Sequence, residues 1–413
     1  MNKDFYQSVK DELFNDILPY WEKHARDNVN KGFYGTIDNE NNCDASISRS
    51  IVMTSRFLWT YSAVARLTKD AKYLEMADFA YDVIINKYFD KEYDGVYWSV
   101  MPDGKPAISK KQIYGEAFCC YGLSEYAAAL KELRDDDVAQ DVMNHALDIY
   151  ALLEKYARDY DDGGYVEARD RDWGETNDMI LSPKDMNCPK SMNTNLHVME
   201  AYTNLYRTLP VVFEDSKAIR AEVGDSLKEL VEVTVQFILQ SNAHLGMFFD
   251  MNWKLLDDEI SYGHDIEASW LLWEAACELE DEELKEKIKD TVIKVAEVSL
   301  DEGYDDENGC LENFLKEHGT KRDRRRVWWN QAEAVNGFYN AWEMTGEQKY
   351  ADAVEKTWKW IQEHQVDKVH GEWWSELDEN GNPILSEAKG GNWKTSYHNG
   401  RTCLELLRRS KTM

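Results

Sequence analysis

The chain has 413 residues, of which 43% are hydrophobic, and it carries a formal net charge of -30 at pH 7. Its length and apolar content allow a large buried core, whereas its negative charge repels phosphate backbones and anionic lipids, so we expect neither nucleic acid nor a membrane surface as a partner. A neutral small molecule fits this charge better. No apolar run approaches the roughly 18 residues of a membrane span, and no signal-peptide centre is visible, which predicts a cytoplasmic protein.

Six short segments of glycine with aromatic or β-branched residues recur along the chain. Their alternation, together with turn pairs such as Asp103-Gly104 and Asn380-Gly381, predicts β-hairpins. The segments lie at 32–35, 94–98, 163–166, 246–249, 309–312 and 371–374. Because they return every 60 to 85 residues or so, they indicate an internal repeat.

Between the hairpins the apolar residues recur at helical spacing, and each interval holds two such stretches. With an opening helix at roughly 3–27, this predicts twelve helices, the others at roughly 50–68, 71–88, 111–131, 136–157, 193–208, 215–240, 263–278, 281–299, 328–344, 347–364 and 393–409. Six helix pairs predict an all-α fold, an (α/α)6 barrel with short hairpins at one end, formed by one catalytic domain over 1–413. An open solenoid is the alternative, but it needs polar capping repeats, whereas the last helix carries Trp393, Tyr397 and His398.

The 15 tryptophans and 23 tyrosines exceed what packing normally requires. Such rings can line a carbohydrate site, because the apolar face of a pyranose stacks on an indole while its hydroxyls bind polar groups. They also serve as filler in large helical barrels, and composition alone leaves both interpretations open. The seven cysteines are odd in number and irregularly spaced, which predicts reduced core residues and neither disulfides nor a zinc site.

Each hairpin precedes the first helix of the next pair, so the starts of these inner helices are expected to meet at one mouth of the barrel. Histidines and an arginine at equivalent positions of different repeats are unusual there, because a purely structural inner helix presents apolar or small residues. The polar and aromatic residues at these starts are Arg56, Tyr114, Glu116, Asn195, His197, His264, Glu267, Trp328, Asn330, Glu333, Trp393 and His398.

Two of these histidines suit acid/base chemistry. His264 and Glu267 are three residues apart, so they share a helix face on which the carboxylate can orient the imidazole or raise its basicity. An ordinary helix-start hydrogen bond is the alternative. His398 lies at the last inner helix, which ring closure brings near the first repeat. The two imidazoles are therefore expected to face opposite sides of one substrate carbon, and an ordinary pKa of about 6.5 suits reversible proton transfer.

Two other chemistries could use the same mouth. A metal site would draw on His197, His264, His398 and Glu267. These four residues come from three separate repeats without a tight ligand spacing, so we expect no metal and no other cofactor. A glycosidase, a common activity of (α/α)6 barrels, would need paired carboxylates from Glu116, Glu267 and Glu333. The histidine-rich set favours proton transfer.

Other conspicuous residues have plainer interpretations. The basic run at 321–326 is expected to be a solvated loop with local ion pairs. The remaining histidines are expected on outer helices or loops in structural or surface roles: His24, His145, His244, His318, His364 and His370.

Five segments resemble the N-acylglucosamine 2-epimerase superfamily, and within it the disaccharide 2-epimerases. They are SRFLWTYS, NTNLHVMEAY, YGHDIEASWLL, VWWNQAEAVNGF and NWKTSYHNGR, in the order of the family, and the resemblance runs over essentially the whole chain. YGHDIEASWLL together with YHNGR is fairly specific, because N-acylglucosamine epimerases and mannose isomerases keep these histidines in different surroundings. The resemblance implies an (α/α)6 barrel, in agreement with the repeat count.

The resemblance also implies a reaction. It is the reversible epimerisation at C2 of the reducing-end glucose of a β-1,4-linked disaccharide, such as cellobiose or lactose, to mannose, through ring opening and a cis-enediol, without a metal or redox cofactor. By the same resemblance His264 and His398 are the proton-transfer pair. Arg56 and His197 hold O1 and O2, where an arginine lowers the energy of the developing enediolate.

The resemblance implies further contacts with the substrate. Trp328 and Trp393 match positions that pack on the sugar rings, and Glu267 is expected to tune His264. The other expected substrate-binding residues are Tyr114, Asn195, Glu333 and Trp374.

Rival activities stay open on the sequence. A monosaccharide aldose-ketose isomerase or an N-acylglucosamine 2-epimerase fits the same scaffold, and a glycosidase or a catalytically silent sugar-binding protein fits the same fold. Extra aromatic surface for a second ring favours a disaccharide. The expected partner is a small-molecule substrate, and the chain is expected to be a monomer or a weak homodimer.

Overall fold

The computed structural model describes residues 1–134 and 137–410, and most of these residues are helical. The described part contains thirteen α-helices: α1 (Lys3–Asp11), α2 (Leu18–His24), α3 (Ile51–Thr68), α4 (Leu74–Val83), α5 (Ile113–Arg134), α6 (Val138–Leu152), α7 (Met192–Val212), α8 (Lys217–Val233), α9 (Tyr262–Glu278), α10 (Glu282–Val298), α11 (Trp328–Thr345), α12 (Gln348–Trp360) and α13 (Tyr397–Arg409). A π-helical turn (Glu12–Ile17) joins α1 to α2 as one continuous helix, so the predicted twelve helices are confirmed. The predicted ends agree within a few residues, and α13 starts later than expected, at Tyr397.

Every second helix belongs to an inner ring. α3, α5, α7, α9, α11 and α13 each contact the next, and α13 returns to contact α3. The outer helices α4, α6, α8, α10 and α12 each pack on the inner helix before them, and α1 packs on α13. Because the inner ring closes, the fold is the predicted (α/α)6 barrel, and the open solenoid is excluded.

Sequence patterning separates the two rings. The inner helix α5 is buried without interruption from Ile113 to Leu130, as expected for a helix covered on all sides. The outer helix α10 buries one stripe, which includes Leu284, Ile288 and Val292, at helical spacing. Serine caps fix where three inner helices begin: Ser50, Ser191 and Ser261 each accept a backbone N–H from the first turn of α3, α7 and α9.

The outer helices end in a shared local structure. Five of them finish in a π-helical turn, at Ile84–Tyr88, Leu153–Ala157, Thr234–Ile238, Ser299–Gly303 and Ile361–Gln365. The chain then folds back on itself, and one antiparallel pair marks each return: Arg26 with Phe33, Phe89 with Val96, Arg158 with Tyr165, Leu239 with Leu245, Tyr304 with Leu311, and Val366 with Trp373. The six predicted hairpins are therefore present, although each is only one or two residue pairs long.

Short strands occupy the same end of the barrel. They are β1 (Arg26–Asp27), β2 (Gly32–Phe33), β3 (Thr36–Ile37), β4 (Arg49–Ser50), β5 (Ser99–Val100), β6 (Pro106–Ile108), β7 (Lys111–Gln112), β8 (Ala168–Arg169), β9 (Lys190–Ser191), β10 (Phe248–Phe249), β11 (Ile260–Ser261), β12 (Tyr304–Asp305), β13 (Cys310–Leu311), β14 (Phe314–Lys316), β15 (Lys321–Asp323), β16 (Arg326–Val327), β17 (Glu376–Leu377) and β18 (Gly390–Gly391). The strand before each inner helix pairs with the strand that follows the next hairpin: β4 with β5, β7 with β8, β9 with β10, β11 with β14, β16 with β17, and β18 with β3. The last pair joins the two ends of the chain, so this ring is closed as well.

Buried ion pairs tie these strands to the hairpins. In five repeats an aspartate directly after the hairpin pair binds an arginine or lysine at or next to the strand before the inner helix: Arg49–Asp27 (2.5 Å), Lys111–Asp90 (3.2 Å), Lys190–Asp159 (2.7 Å), Arg326–Asp305 (2.6 Å) and Lys389–Asp367. The fourth repeat has Gln240 and Ile260 at these two positions. We call the six strand pairs with these ion pairs the rim frame. The rim frame places all inner-helix starts at one mouth.

None of the helices in the described residues combines the length and apolar character that crossing a bilayer requires.

Candidate active site

The first turns of the inner helices surround a buried cluster centred on Arg401. The Arg401 side chain is 1% exposed and donates to three carboxylates: to Glu200, to Glu267 (2.7 Å) and to Glu333 (2.7 Å). Glu200 also accepts from Tyr397 and faces Nδ1 of His197. On the other side, Glu333 faces Nδ1 of His398 at 2.7 Å. A single guanidinium therefore connects two of the predicted histidines, and we call this set the Arg401 network.

The three histidines at the mouth share one arrangement of ring nitrogens. Nδ1 of His197 lies 2.7 Å from Glu200, Nδ1 of His264 lies 2.7 Å from Oγ of Ser261, and Nδ1 of His398 lies 2.7 Å from Glu333. In the described part of the chain, no hydrogen bond occupies Nε2 of these rings. A carboxylate on Nδ1 fixes the tautomer in which Nδ1 carries the hydrogen, so Nε2 of His197 and His398 is left as a proton acceptor.

One indole contacts both His264 and His398. The ring of Trp329 is 4.7 Å from the ring of His264 and 5.8 Å from that of His398, measured between centroids. Trp329 thus brings together the first turns of α9 and α13, which the sequence predicted to face one substrate. The predicted sugar-packing residue in this segment was Trp328, which is also half-buried, with its ring 5.9 Å from the Lys394 ammonium.

Burial sets the protonation of these groups. It lowers the pKa of His264 from 6.5 to about 3, and the nearby His197 adds to this effect. Burial, and then the charge of Arg56, lower the pKa of His398 well below 6.5. Although burial alone raises the pKa of Glu200, Arg401 and His197 outweigh it and lower the pKa to about 2. The free site therefore holds neutral imidazoles beside an ionised carboxylate, which is the state a general base requires.

Arg56 is a second buried cation at the mouth. Its guanidinium donates to the backbone carbonyl of Trp393 (2.6 Å) and to the hydroxyl of Tyr114 (2.9 Å), and it lies over the ring of Phe118 at 4.5 Å. The ring of Tyr114 in turn contacts His197, at 5.0 Å between centroids. Among the described residues no carboxylate pairs with Arg56, so its positive charge is available to an anionic oxygen.

Trp393 forms the accessible wall of the mouth. It is 36% exposed, and its ring lies 5.9 Å from the rings of both Trp98 and Tyr114. Its position depends on a local departure from the repeat, because α13 begins six residues after β18, whereas the other inner helices follow their strands directly. The intervening segment holds Trp393 so that its carbonyl meets Arg56.

Glu267 and Asn195 make contacts within the protein that the sequence did not predict. Among the described residues no hydrogen bond joins Glu267 to His264: the Glu267 carboxylate accepts from Arg401, and Ser261 is the hydrogen-bond partner of His264. Asn195 lies in α7 next to the rim frame, where its side chain binds both the N–H and the carbonyl of Tyr165. Glu116 has the same task one repeat earlier, where it accepts the N–H of Val96 at 2.9 Å.

Two more candidates lie outside the Arg401 network. Trp374 packs against the buried ammonium of Lys389 at 4.5 Å, which places it beside the rim frame. Asn330 is fully buried and donates to Asn313 at 3.1 Å. Among the described residues, no hydrogen bond or ring contact joins either of them to Arg401 or to the three histidines of the mouth.

Within residues 1–134 and 137–410, one group of side chains has ligand atoms close enough together to hold a metal ion. Ligand atoms of Glu267, Glu333 and His398 lie within 4.8 Å of one another. However, both carboxylates already accept from the Arg401 guanidinium, and Nδ1 of His398 is turned to Glu333. A fixed guanidinium thus supplies the positive charge that an ion would bring to these carboxylates.

The sequence did not single out several residues of the site. Glu200 follows His197 at the spacing of His264 and Glu267, so the same rule would have found it. Arg401 lies three residues after His398 in the run YHNGR, yet its carboxylate partners are 68 to 201 positions away along the chain. Trp329 was not predicted because its neighbour Trp328 was taken as the sugar-packing residue of this segment. Ser261 was not predicted because it lies in the short strand before α9.

Known proteins resemble this chain over its whole length. The family model described as N-acylglucosamine 2-epimerase matches residues 32–401. The cellobiose 2-epimerase of Bacteroides fragilis is 38% identical over 410 residues, which cover 98% of this chain and 100% of that protein. The structure of cellobiose 2-epimerase from Bacillus thermoamylovorans is 33% identical, with a TM-score of 0.89 over 99% of this chain and 100% of that one. A D-mannose isomerase structure, 19% identical with a TM-score of 0.80 over 99% of this chain and 98% of its own, shares the fold.

Proposed function

The chain belongs to the N-acylglucosamine 2-epimerase family and is a carbohydrate epimerase, and from this premise we propose that it is a cellobiose 2-epimerase. The reaction is the reversible epimerisation at C2 of the reducing-end glucose of β-1,4-linked disaccharides such as cellobiose and lactose, which gives mannose at that position. Relatives named cellobiose 2-epimerase are 34% to 38% identical over nearly the whole chain, whereas those named N-acylglucosamine 2-epimerase are 21% identical. The disaccharide is therefore the favoured substrate.

One observation carries the mechanism: the rings of His264 and His398 both contact the ring of Trp329, and Nδ1 of each is bound by the protein. After the sugar ring opens, one neutral imidazole removes the C2 proton through Nε2. The other imidazole, which has taken a proton from solvent onto its Nε2, delivers it to the opposite face of the cis-enediol. The first imidazole then releases its proton to solvent. Because the reaction is reversible, the two histidines exchange roles with direction.

The positive charge of Arg56 stabilises the intermediate. When the C2 proton leaves, negative charge develops on O1 and O2. A buried guanidinium that pairs with no carboxylate of the described chain lowers the energy of that state more than that of the neutral sugar. His197, held by Glu200 and adjacent to Tyr114, is the second group that binds these oxygens. Trp393 supplies the exposed indole on which a sugar ring stacks.

Arg401 also bears on whether a metal takes part. Its guanidinium neutralises Glu267 and Glu333, which would otherwise be the natural ligands of a divalent cation. We therefore expect turnover to be unaffected by removal of metal ions with a chelator. A loss of turnover that added divalent ions restore would contradict this.

The test is solvent exchange over a panel of sugars. Cellobiose, lactose, glucose, mannose and N-acetylmannosamine are incubated with the protein in deuterated water, and products are read by NMR. We expect the mannose-terminated disaccharide with deuterium at C2. Release of monosaccharide would indicate a glycosidase, conversion of mannose alone would indicate an aldose-ketose isomerase, and conversion of N-acetylmannosamine alone would indicate an N-acylglucosamine 2-epimerase.

A further inference from the structure

The fourth repeat breaks the pattern of the rim frame. In the other five repeats, a lysine or arginine that is at most 2% exposed neutralises the aspartate of the hairpin. The fourth repeat has neither charge, because Gln240 and Ile260 stand at these positions. This repeat leads into α9, whose first turn carries His264.

A different pair of charges replaces the missing one. Asp265, in the first turn of α9, accepts the N–H of Leu245 at 2.8 Å, so its carboxylate takes the place of the amide of Asn195 and the carboxylate of Glu116 in earlier repeats. Nδ1 of His244 lies 2.7 Å from the other oxygen of Asp265. Nε2 of His244 faces Glu302 at 3.3 Å.

The geometry of His244 indicates an imidazolium. Both of its ring nitrogens face carboxylates, which only accept hydrogen bonds, so both nitrogens must carry hydrogen to satisfy them. The His244 side chain is 2% exposed and that of Asp265 is 1% exposed, whereas Glu302 is half-exposed. The other groups packed here are the Tyr262 ring, 6.0 Å away, and Arg322, which donates to the backbone carbonyl of Glu302.

From this arrangement, and resting on the proposed role of His264, we propose that His244 is a positioning residue for the epimerisation. Its imidazolium fixes Asp265, and thereby the first turn of α9, so that Ser261 and His264 are held beside Trp329. In the other five repeats the cation of the rim frame is a lysine or an arginine, which stays charged near neutral pH. In this repeat the cation is a histidine, so the contacts that hold His264 in place depend on pH. When His244 loses its proton, Asp265 and Glu302 lose their shared cation, and the first turn of α9 is released.

The direction of the pH effect follows. Burial lowers the pKa of His244, but Asp265, with a further contribution from Glu302, outweighs burial and raises it above 6.5. A histidine whose pKa is raised on folding contributes stability that is fully present below its unfolded pKa and is lost as pH rises through its folded pKa. The wild-type kcat is therefore expected to fall on the alkaline side of pH 6.5, at a pH where His264 itself is already neutral.

The experiment compares kcat and KM against pH for three variants. His244→Gln removes the charge, His244→Lys makes it permanent, and His145→Gln, on outer helix α6, is the matched control. We expect His244→Gln to lower kcat about 10- to 100-fold, the range typical of residues that orient a reacting group, with little change in KM. His244→Lys should restore kcat and move the alkaline limb upward, and the control should keep the wild-type profile. A wild-type alkaline limb that persists in both His244 variants would overturn the proposal, even if their melting temperatures fall.

Two additions keep the test decisive. If His244→Gln does not fold, Asp265→Asn takes its place, because an asparagine at the equivalent position of α7 already binds the hairpin backbone. Imidazole ¹⁵N spectra follow His264 without any sugar, and we expect a second inflection above pH 6.5 that is absent from His244→Gln. If no sugar is turned over, the proposed function fails, while this inflection still decides whether His244 and His264 are coupled.

Discussion

The rim frame and the Arg401 network are both built from buried charge, and they differ in how that charge is satisfied. In the rim frame each cation has its own aspartate; Lys190, for example, binds Asp159 and two backbone carbonyls. In the Arg401 network one guanidinium serves three carboxylates. Within the described residues its two imidazoles, like that of His264, keep Nε2 free of hydrogen bonds. Buried charge alone therefore does not identify the active site of this barrel. The proposed active site is distinguished by histidine Nε2 atoms at the mouth that form no hydrogen bond within the described residues.

The largest expected effect comes from removing a proton-transfer nitrogen. His398→Asn and His264→Asn each delete an Nε2 acceptor, so kcat should fall about 10²- to 10⁴-fold, the contribution typical of a general acid or base. Sugar binding, followed by calorimetry, and the melting temperature should change little. Retention of more than a tenth of wild-type turnover by either variant would place the chemistry elsewhere in the mouth.

Matched arginine substitutions compare the two regions directly. Arg401→Met leaves three buried carboxylates without a cation, and Arg49→Met leaves Asp27 in the same state in the rim frame. Each should lower the free energy of unfolding by about 3–5 kcal/mol, as measured by urea denaturation, because an unpaired buried charge remains. Only Arg401→Met should also reduce kcat of the folded fraction. Equal effects of both substitutions on kcat would contradict the different roles of the rim frame and the Arg401 network.

Asn195→Ala tests whether Asn195, a predicted substrate contact, instead supports the hairpin backbone next to the rim frame. Its amide binds the N–H and carbonyl of Tyr165, so removal leaves two buried backbone groups unsatisfied and should cost about 1–3 kcal/mol of stability. KM for cellobiose should stay within about twofold of wild type, because the side chain binds the hairpin backbone. A twofold change corresponds to only about 0.4 kcal/mol of binding free energy. An increase in KM with unchanged stability would return Asn195 to the sugar site.

The smallest effect is a displacement of the pH profile. A histidine that acts as base is active when unprotonated, so kcat/KM falls as pH falls through its pKa. Because burial lowers the pKa of His264 to about 3 and that of His398 well below 6.5, the acid limb should lie below pH 6.5. The acid limb is located from initial rates at low substrate concentration between about pH 4 and 8, a range that spans the ordinary pKa of histidine. A limb at or above 6.5 would mean that these imidazoles are solvated.

Local patterns were enough to predict the barrel and the location of its mouth. Helical periodicity and the glycine-aromatic segments are repeated six times, so errors at single helix ends did not change the count. The delayed start of α13 was missed because NWKTSY has no glycine or proline to stop a helix; the segment is held open by contacts of Asn392 with Ser50, far away in the chain. His244 was expected in a structural or surface role, but its partners Asp265 and Glu302 were not predicted, because they lie 21 and 58 positions away along the chain.

Sequence by itself determined which helix starts carry imidazoles, carboxylates and indoles, since helix position and side-chain type are local properties. The tertiary structure decided which of these groups pair. Glu267 is one turn from His264 along α9, yet it binds Arg401, 134 positions away, because a buried guanidinium attracts every carboxylate within reach more strongly than a neutral imidazole does. Closure of the inner ring brings α13 beside α3 and α11, and no helix contains that information alone.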